Sequence, residues 1–484
     1  MRHRSDPTEC GKRPGQAEET VMLSQLVPSG PAGRRRRALS AIVATVAVIF
    51  GAFGLVASQG EPADAARNCR ATKSCPTTTT LAPTTTTSAP TTTIASATTT
   101  TVPPTTTTIT APPGTCVPVS PSSNIQALID AYGPGTSFCF APGTYVLTTF
   151  LIPRANDKFI STTPRAAILT GNGANNAGIR SGQPWPQTPV SGVTVEGFVI
   201  RNMANVWTSI PRAALTTGPN WIVRNNEIAF NTQAGVEMEG PNQLLNNYIH
   251  DNGRYGFEGY AVDGSVIDGN EVARNNSAQY DPNDDAGGSK LARSKNVTIN
   301  NNNVHDNYGQ GLWCDADCIF ITYSNNTVRN NAGIGIFHEI SADAVIRNNT
   351  LSGNDSRMVG KSLWWGADIF LNTSKNVEIY GNTVTAGVHG IGMAAYDRGS
   401  GLYGRYEVSN VRVHDNVITL PLNGQVGLNS SATLYNPYTL GNTWVHNTYH
   451  VPNTSAALFQ WSGGGKTWSQ WQALGNDTTG SFGN

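Results

Sequence analysis

The chain has 484 residues, a formal net charge of zero and only 13% charged side chains, so no basic surface points to nucleic acid or an anionic membrane. That length admits several domains, but the first part lacks the composition of a globular core. Ten Trp and fifteen Tyr are more informative: sugar rings stack on exposed aromatics, although most aromatics in any chain are core.

Residues 1–37 end in four arginines, Arg34 to Arg37, and precede the apolar run 38–57, whose length suits a membrane span. The distribution of positive charge then puts the N-terminus in the cytoplasm and everything after the run outside. A cleaved signal peptide is the competing expectation, with small residues at Ala63 to Ala65 and Met22 as an alternative start. Either way the bulk of the chain is expected to be extracellular, free or membrane-anchored. Residues 58–115 form a linker, almost wholly Thr, Pro and Ala from 76 onward, expected to stay extended as a spacer or glycosylated stalk at the cell envelope. Cys10 precedes the apolar run, and the other six cysteines form near couples: Cys69 with Cys75, Cys116 with Cys139, and Cys314 with Cys318. An even number in an oxidising compartment suits disulfides. A zinc site at Cys314 and Cys318 would need further close ligands, so a disulfide is preferred there.

Residues 116–192 read as an N-terminal cap and first rungs. Ile125, Leu128 and Ile129 give a short helix its apolar face, and a Gly-Pro-Gly turn leads to an alternating strand. From 193 to 427 an asparagine recurs two residues before an aliphatic one, at Asn226, Asn247, Asn270, Asn302, Asn326, Asn349, Asn382 and Asn416. The spacings are 21, 23, 32, 24, 23, 33 and 34, a base period in the low twenties with three insertions of about ten residues. A second series runs through Asn231, Asn252, Asn275, Asn307, Asn331 and Asn354. Asparagine tolerates tight bends, and its amide both donates and accepts, so stacked copies can satisfy one another. With no leucine-rich frame and no helical period, the repeat predicts an all-β solenoid: a single-stranded parallel β-helix. Residues 428–484 leave the period and read as last rungs and a C-terminal cap. From about 117 to 480 the chain resembles the right-handed β-helix, pectate-lyase-like superfamily, and its first segment resembles the helical cap of those proteins. The resemblance implies the fold and its handedness, while lyases, hydrolases, epimerases and glycan binders all share it.

Two insertions, "SAQYDPNDDAG" before Gly288 and "DSRMVGKSLWW" before Gly366, fall at the same place in the repeat and predict the walls of a groove. Between them, strands opened by Gly235, Gly256, Gly288, Gly311 and Gly335 superpose. Side chains alternate, so the second and fourth residues after each glycine point outward. That stripe holds Glu237, Glu239, Glu258, Tyr260, Lys290, Trp313, Asp315, Phe337 and Glu339, with Asp368 as an uncertain extension. A wet outer face of any β-helix also carries solvated acids, but a chain this poor in charge concentrates them here.

Asp315 and Glu339 stand on adjacent rungs about 4.8 Å apart. Two acids that close can divide into an acid and a base, as in a retaining glycosidase, or stand farther apart with divergent rotamers. Lys290, one rung below, is the candidate base of a lyase or epimerase. Trp364 and Trp365 join the stripe's acids and aromatics as substrate-binding candidates, and Asp317 as a groove wall. Asp281, Asp284 and Asp285 make calcium the one cofactor suggested. Their "YDPNDD" segment is distantly similar to the Asp-Pro-His-Asp motif of mannuronan epimerases, but Asn283 replaces the histidine and no catalytic role carries over. His338 follows the inward parity and is expected in the core. The expectation is a monomeric polysaccharide hydrolase, or a lyase or epimerase, with a noncatalytic glycan-binding or structural surface protein as the rival.

Overall fold

The computed structural model describes residues 115–173, 177–182, 189–205, 213–354 and 363–484. The apolar run 38–57, the linker up to residue 114, the couple Cys69 and Cys75, and the side chain of Asp284 lie outside them. Among the described residues no helix is long and apolar enough to cross a membrane.

Successive strands are dealt in turn to three sheets of thirteen strands each, so every turn of the chain adds one rung to each sheet. Rung pairs with rung in parallel, from Cys116–Val119 against Ser137–Phe140 to Thr448–His450 against Ser481–Gly483. An antiparallel hairpin, Phe459–Trp461 with Gly464–Lys466, closes one sheet. Alternation sorts the faces. In one sheet Ile249, Val272, Val304, Val328, Leu351 and Val384 stack at the same level on successive rungs, all inward and buried. The helix Ile125–Ala131 buries Ile125 and Ile129 in the same core, and Asn124 caps it by accepting from the Ala127 N–H at 3.1 Å. Cys116–Cys139 and Cys314–Cys318 are both disulfide-bonded.

The asparagine periodicity becomes two ladders. From Asn226 each Nδ2 donates to the Oδ1 of the next rung, through Asn302 to Asn326 at 3.0 Å and Asn416 to Asn447 at 2.9 Å, until Asp477 accepts the last at 2.9 Å. The second ladder runs from Asn231 to Asn354 and ends on the carboxylate of Asp368. The residues just before several first-ladder asparagines, Asn225, Asn246, Asn301, Asn325 and Asn348, have φ between 53° and 58°, the left-handed turn that asparagine adopts readily. Paired asparagines therefore divide the work: one bends the chain and the next bonds along the stack.

An amide inside the ladder makes four hydrogen bonds. Asn302 gives Nδ2 to Ile267 O at 2.9 Å and to Asn326, and its Oδ1 takes both the N–H of Asn270 at 2.9 Å and that residue's amide at 3.0 Å. Asn302→Leu would strand the Ile267 carbonyl and both the N–H and the side-chain amide of Asn270 in a dry interior. At roughly 1–3 kcal/mol per stranded group, the variant is expected to lose on the order of 3 kcal/mol, read from the denaturant midpoint. A loss below about 0.5 kcal/mol would show that the ladder contributes nothing.

Candidate functional site

One sheet carries the candidate residues, through strands Ala234–Glu239, Tyr255–Tyr260, Gly287–Ala292, Gln310–Asp315, Ile336–Glu339, Ala367–Asn372 and His389–Ala395. Its register brings Glu237, Glu258, Lys290, Trp313, Phe337 and Phe370 into one outward row. A second row holds Glu239, Tyr260, Ala292 and Asp315, and Glu339 aligns with Asn372. Since Cys314 pairs with His338, Asp315 and Glu339 follow side by side.

Asp368 is a correction. It stands level with Gly335, one position before the Ile336 and Ile369 pair, so it turns into the corner, fully buried, and ends the second ladder. Burial pushes its carboxyl up to about 7. His338 is buried as well, 3.3 Å from the Tyr323 hydroxyl, and burial pushes its imidazole down to about 4.

The outward aromatics are covered rather than open. Trp313 stacks on Phe337 at 5.2 Å between ring centres, and Phe337 on Phe370 at 5.2 Å. Trp364 and Trp365, from the second insertion, pack over this column and bury it, leaving Trp313, Phe337 and Trp364 at 4%, 0% and 1% exposed. Trp365 stays half-buried, edge-on to Phe337 at 5.7 Å, and Tyr260 is open to solvent.

Lys290 ends that column with its ammonium 3.7 Å from the Trp313 ring centre. Its Nζ meets Asp285 Oδ1 at 2.6 Å and Asp315 Oδ2 at 3.0 Å. Burial works against this charge, but Asp315 and Asp285 outweigh it and hold the amine's pKa above its ordinary value. The first insertion thus supplies Asp285, on the short helix Pro282–Asp285, as a counter-ion. Arg254 reaches the same carboxylate at 3.4 Å and donates to the Asp285 carbonyl at 2.7 Å. With Asp285 so paired and Asp281 exposed, no group of three His, Cys, Asp or Glu among the described residues is arranged for a metal ion.

Glu339 is 7% exposed. Its Oε1 accepts from Asn372 Nδ2 at 2.9 Å and pairs with Arg398 at 3.1 Å. Burial first, and Asp315 second, push its carboxyl up to about 7, while Arg398 pulls the other way. Asp315 and Asp317 sit in the turn closed by the buried Cys314–Cys318 disulfide, where Ala316 and Asp317 have φ of 49° and 62°. Further along the rows, Glu237 accepts from Thr216 Oγ1 at 3.3 Å, and burial, then Glu237, raises the carboxyl of Glu239. Arg398 and Asn372 escaped the sequence reading. The sequence signal for Arg398 is the third long spacing, between Asn382 and Asn416, which contains it.

No curated protein matches the chain. Among solved structures it is similar to the A-module of a mannuronan C-5 epimerase from Azotobacter vinelandii, at 17% identity and TM-score 0.44, covering 65% of this chain and 93% of that one. It is similar to the Dettilon tailspike protein at 12% identity and TM-score 0.43, covering 71% and 70%. The catalytic unit of an α-1,3-glucanase from Streptomyces thermodiastaticus matches at 14% identity and TM-score 0.35, covering 74% and 71%. Residues 212–384 match the family model of the right handed beta helix region, and the strands stacked rung on rung through three parallel sheets give the described residues the fold of a right-handed parallel β-helix.

Proposed function

We propose that this protein hydrolyses a polysaccharide on the outer face of the site sheet, outside the cytoplasm, with Glu339 as general acid and Asp315 as its carboxylate partner. The observation that carries this reading is the pairing of unlike acids. Glu339 is buried and titrates at about 7, so it keeps a proton near neutrality, while Asp315 next to it is ion-paired with Lys290. Glu339 gives its proton to the glycosidic oxygen as the bond to the anomeric carbon breaks. Asp315 either attacks that carbon, forming a glycosyl ester that water then cleaves after giving its proton to the ionised Glu339, or takes a proton from the water that attacks the carbon directly. Trp365 and Tyr260 offer rings for sugars to stack on, and the two disulfides support folding in an oxidising compartment.

Elimination or epimerisation needs a base that removes a proton next to a carboxylate. Lys290 is the nearest amine, and two acids hold its proton in place.

The purified full chain, screened against neutral and uronic-acid glycans, is expected to release reducing ends without the ultraviolet absorption of a new double bond. Unsaturated products would replace hydrolysis with elimination. Binding without cleavage of any glycan would replace both with a noncatalytic binder.

A further inference from the structure

Residues 396–411, the third insertion, leave the site sheet after His389–Ala395 and fold back across the acids. The ion pair of Arg398 with Glu339 joins residues 59 apart in the chain. Behind it the segment forms a small antiparallel hairpin, Ser400–Gly401 with Gly404–Arg405. Three anchors tie this segment down. Asp317 Oδ1 takes the N–H of Leu402 at 2.9 Å and the hydroxyl of Tyr406 at 2.8 Å. Lys375 Nζ donates to the carbonyls of Tyr403 at 2.8 Å and Arg405 at 3.1 Å. Asp397 accepts from Thr433 Oγ1 at 2.7 Å. A side chain at Gly401 has to push aside the Asp317 carboxylate and the Tyr406 hydroxyl, which occupy the space a Cβ would take.

We propose that this segment is a strap that positions the general acid: Arg398 orients the Glu339 carboxyl, and the anchoring of the hairpin on Asp317 holds Arg398 in place. The proposal rests on the reading of Glu339 as the acid. Arg398 is 38% exposed by side chain, so its ion pair adds little to stability. Its effect falls on the carboxyl it touches. Four groups face Glu339: Asp315 and Lys290 from the preceding rungs, Asn372 from the next, and Arg398 from the strap. Burial and Asp315 favour the protonated form, and Arg398 and Lys290 oppose it. Without Arg398 the carboxyl loses the donor that fixes one of its oxygens and the nearest charge that restrains its basicity.

The test is a carboxyl titration of the full chain by carbon-13 resonance, with the Glu339 signal identified by its loss in Glu339→Gln. Arg398→Gln is expected to raise the midpoint of that signal by about one pH unit, and Arg398→Lys to recover part of the change. Gly401→Val, which wedges the hairpin off Asp317 without touching Arg398, should move the midpoint in the same direction. The alkaline limb of the rate profile should follow the midpoint in each variant. A midpoint unmoved by Arg398→Gln overturns the role of Arg398, and one unmoved by Gly401→Val overturns the strap. Should the wild type cleave no glycan, the hydrolase reading fails, while the titration still decides between these outcomes.

Discussion

Glu339→Gln is expected to lower kcat by about 10²–10⁴-fold on any glycan the wild type cleaves, and to make the protein more stable above pH 7. The first effect follows, on the proposed reading, from losing the proton that the Glu339 carboxyl holds near neutral pH beside Asp315. Glutamine keeps an oxygen for the Asn372 amide and for Arg398, so the surroundings stay in place. Asp315→Asn should cost activity to a similar degree, but with a stability loss, since it leaves Lys290 buried with Asp285 as its remaining acid. A Glu339→Gln enzyme that keeps a tenth of the wild-type kcat would remove Glu339 from the acid role.

The stability effect has a definite sign. The Glu339 carboxyl titrates at about 7 in the folded chain against an ordinary value of 4.5. The stability it contributes is therefore fully present below about pH 4.5 and is lost as pH rises through about 7, where the buried group must ionise. Each pH unit of difference corresponds to about 1.4 kcal/mol, and coupling to Asp315 and Arg398 divides this among several groups. The wild type should lose stability across that window and the variant should lose less. Asp368 at about 7 and Asp157 at about 6 slope the same way in both proteins, so the difference between the two curves isolates Glu339. Parallel curves would mean that Glu339 is not buried as a neutral acid.

What could be read from the sequence follows from how local each constraint is. An amide ladder needs one asparagine per rung at one place, so Asn226 through Asn416 recorded the coil directly. Outward parity needed only a landmark, and the glycines at 235, 256, 288, 311 and 335 supplied it for Asp315, Glu339 and Lys290. The landmark failed at the second insertion, where Gly366 lies two residues before Asp368, the residue that stands level with Gly335. Pointing outward also did not mean exposed. Phe337 and Trp313 face away from the core, but whether solvent reaches them depends on how Trp364 and Trp365 fold back over the sheet. The same holds for Asp317, whose partners Leu402 and Tyr406 come from 85 and 89 residues away. No period carries information about such contacts.

Trp364→Ala and Trp365→Ala are expected to separate, although the two residues are neighbours in sequence. Trp364 is 1% exposed, edge-on to His389 at 5.6 Å, and its indole fills the space a Cβ would need at Gly392. Its truncation leaves a ring-sized void under the second insertion and should cost about 3–5 kcal/mol. Trp365 is half-buried, with Phe337 and Phe370 on one side, so it retains ring surface for a ligand. Its truncation should cost about 1 kcal/mol of ring contact and weaken glycan binding about tenfold. Gly392→Ala supplies an internal check, because the added methyl runs into the Trp364 indole and should destabilise on its own. Placed in the Trp364→Ala background, the same methyl enters the void and should cost nothing or restore some stability, a non-additivity that unfolding midpoints measure directly. If the two substitutions simply add, Trp364 does not occupy that space. If Trp364→Ala instead weakens binding while stability holds, the tryptophan lies at the ligand surface and Trp365 is the support.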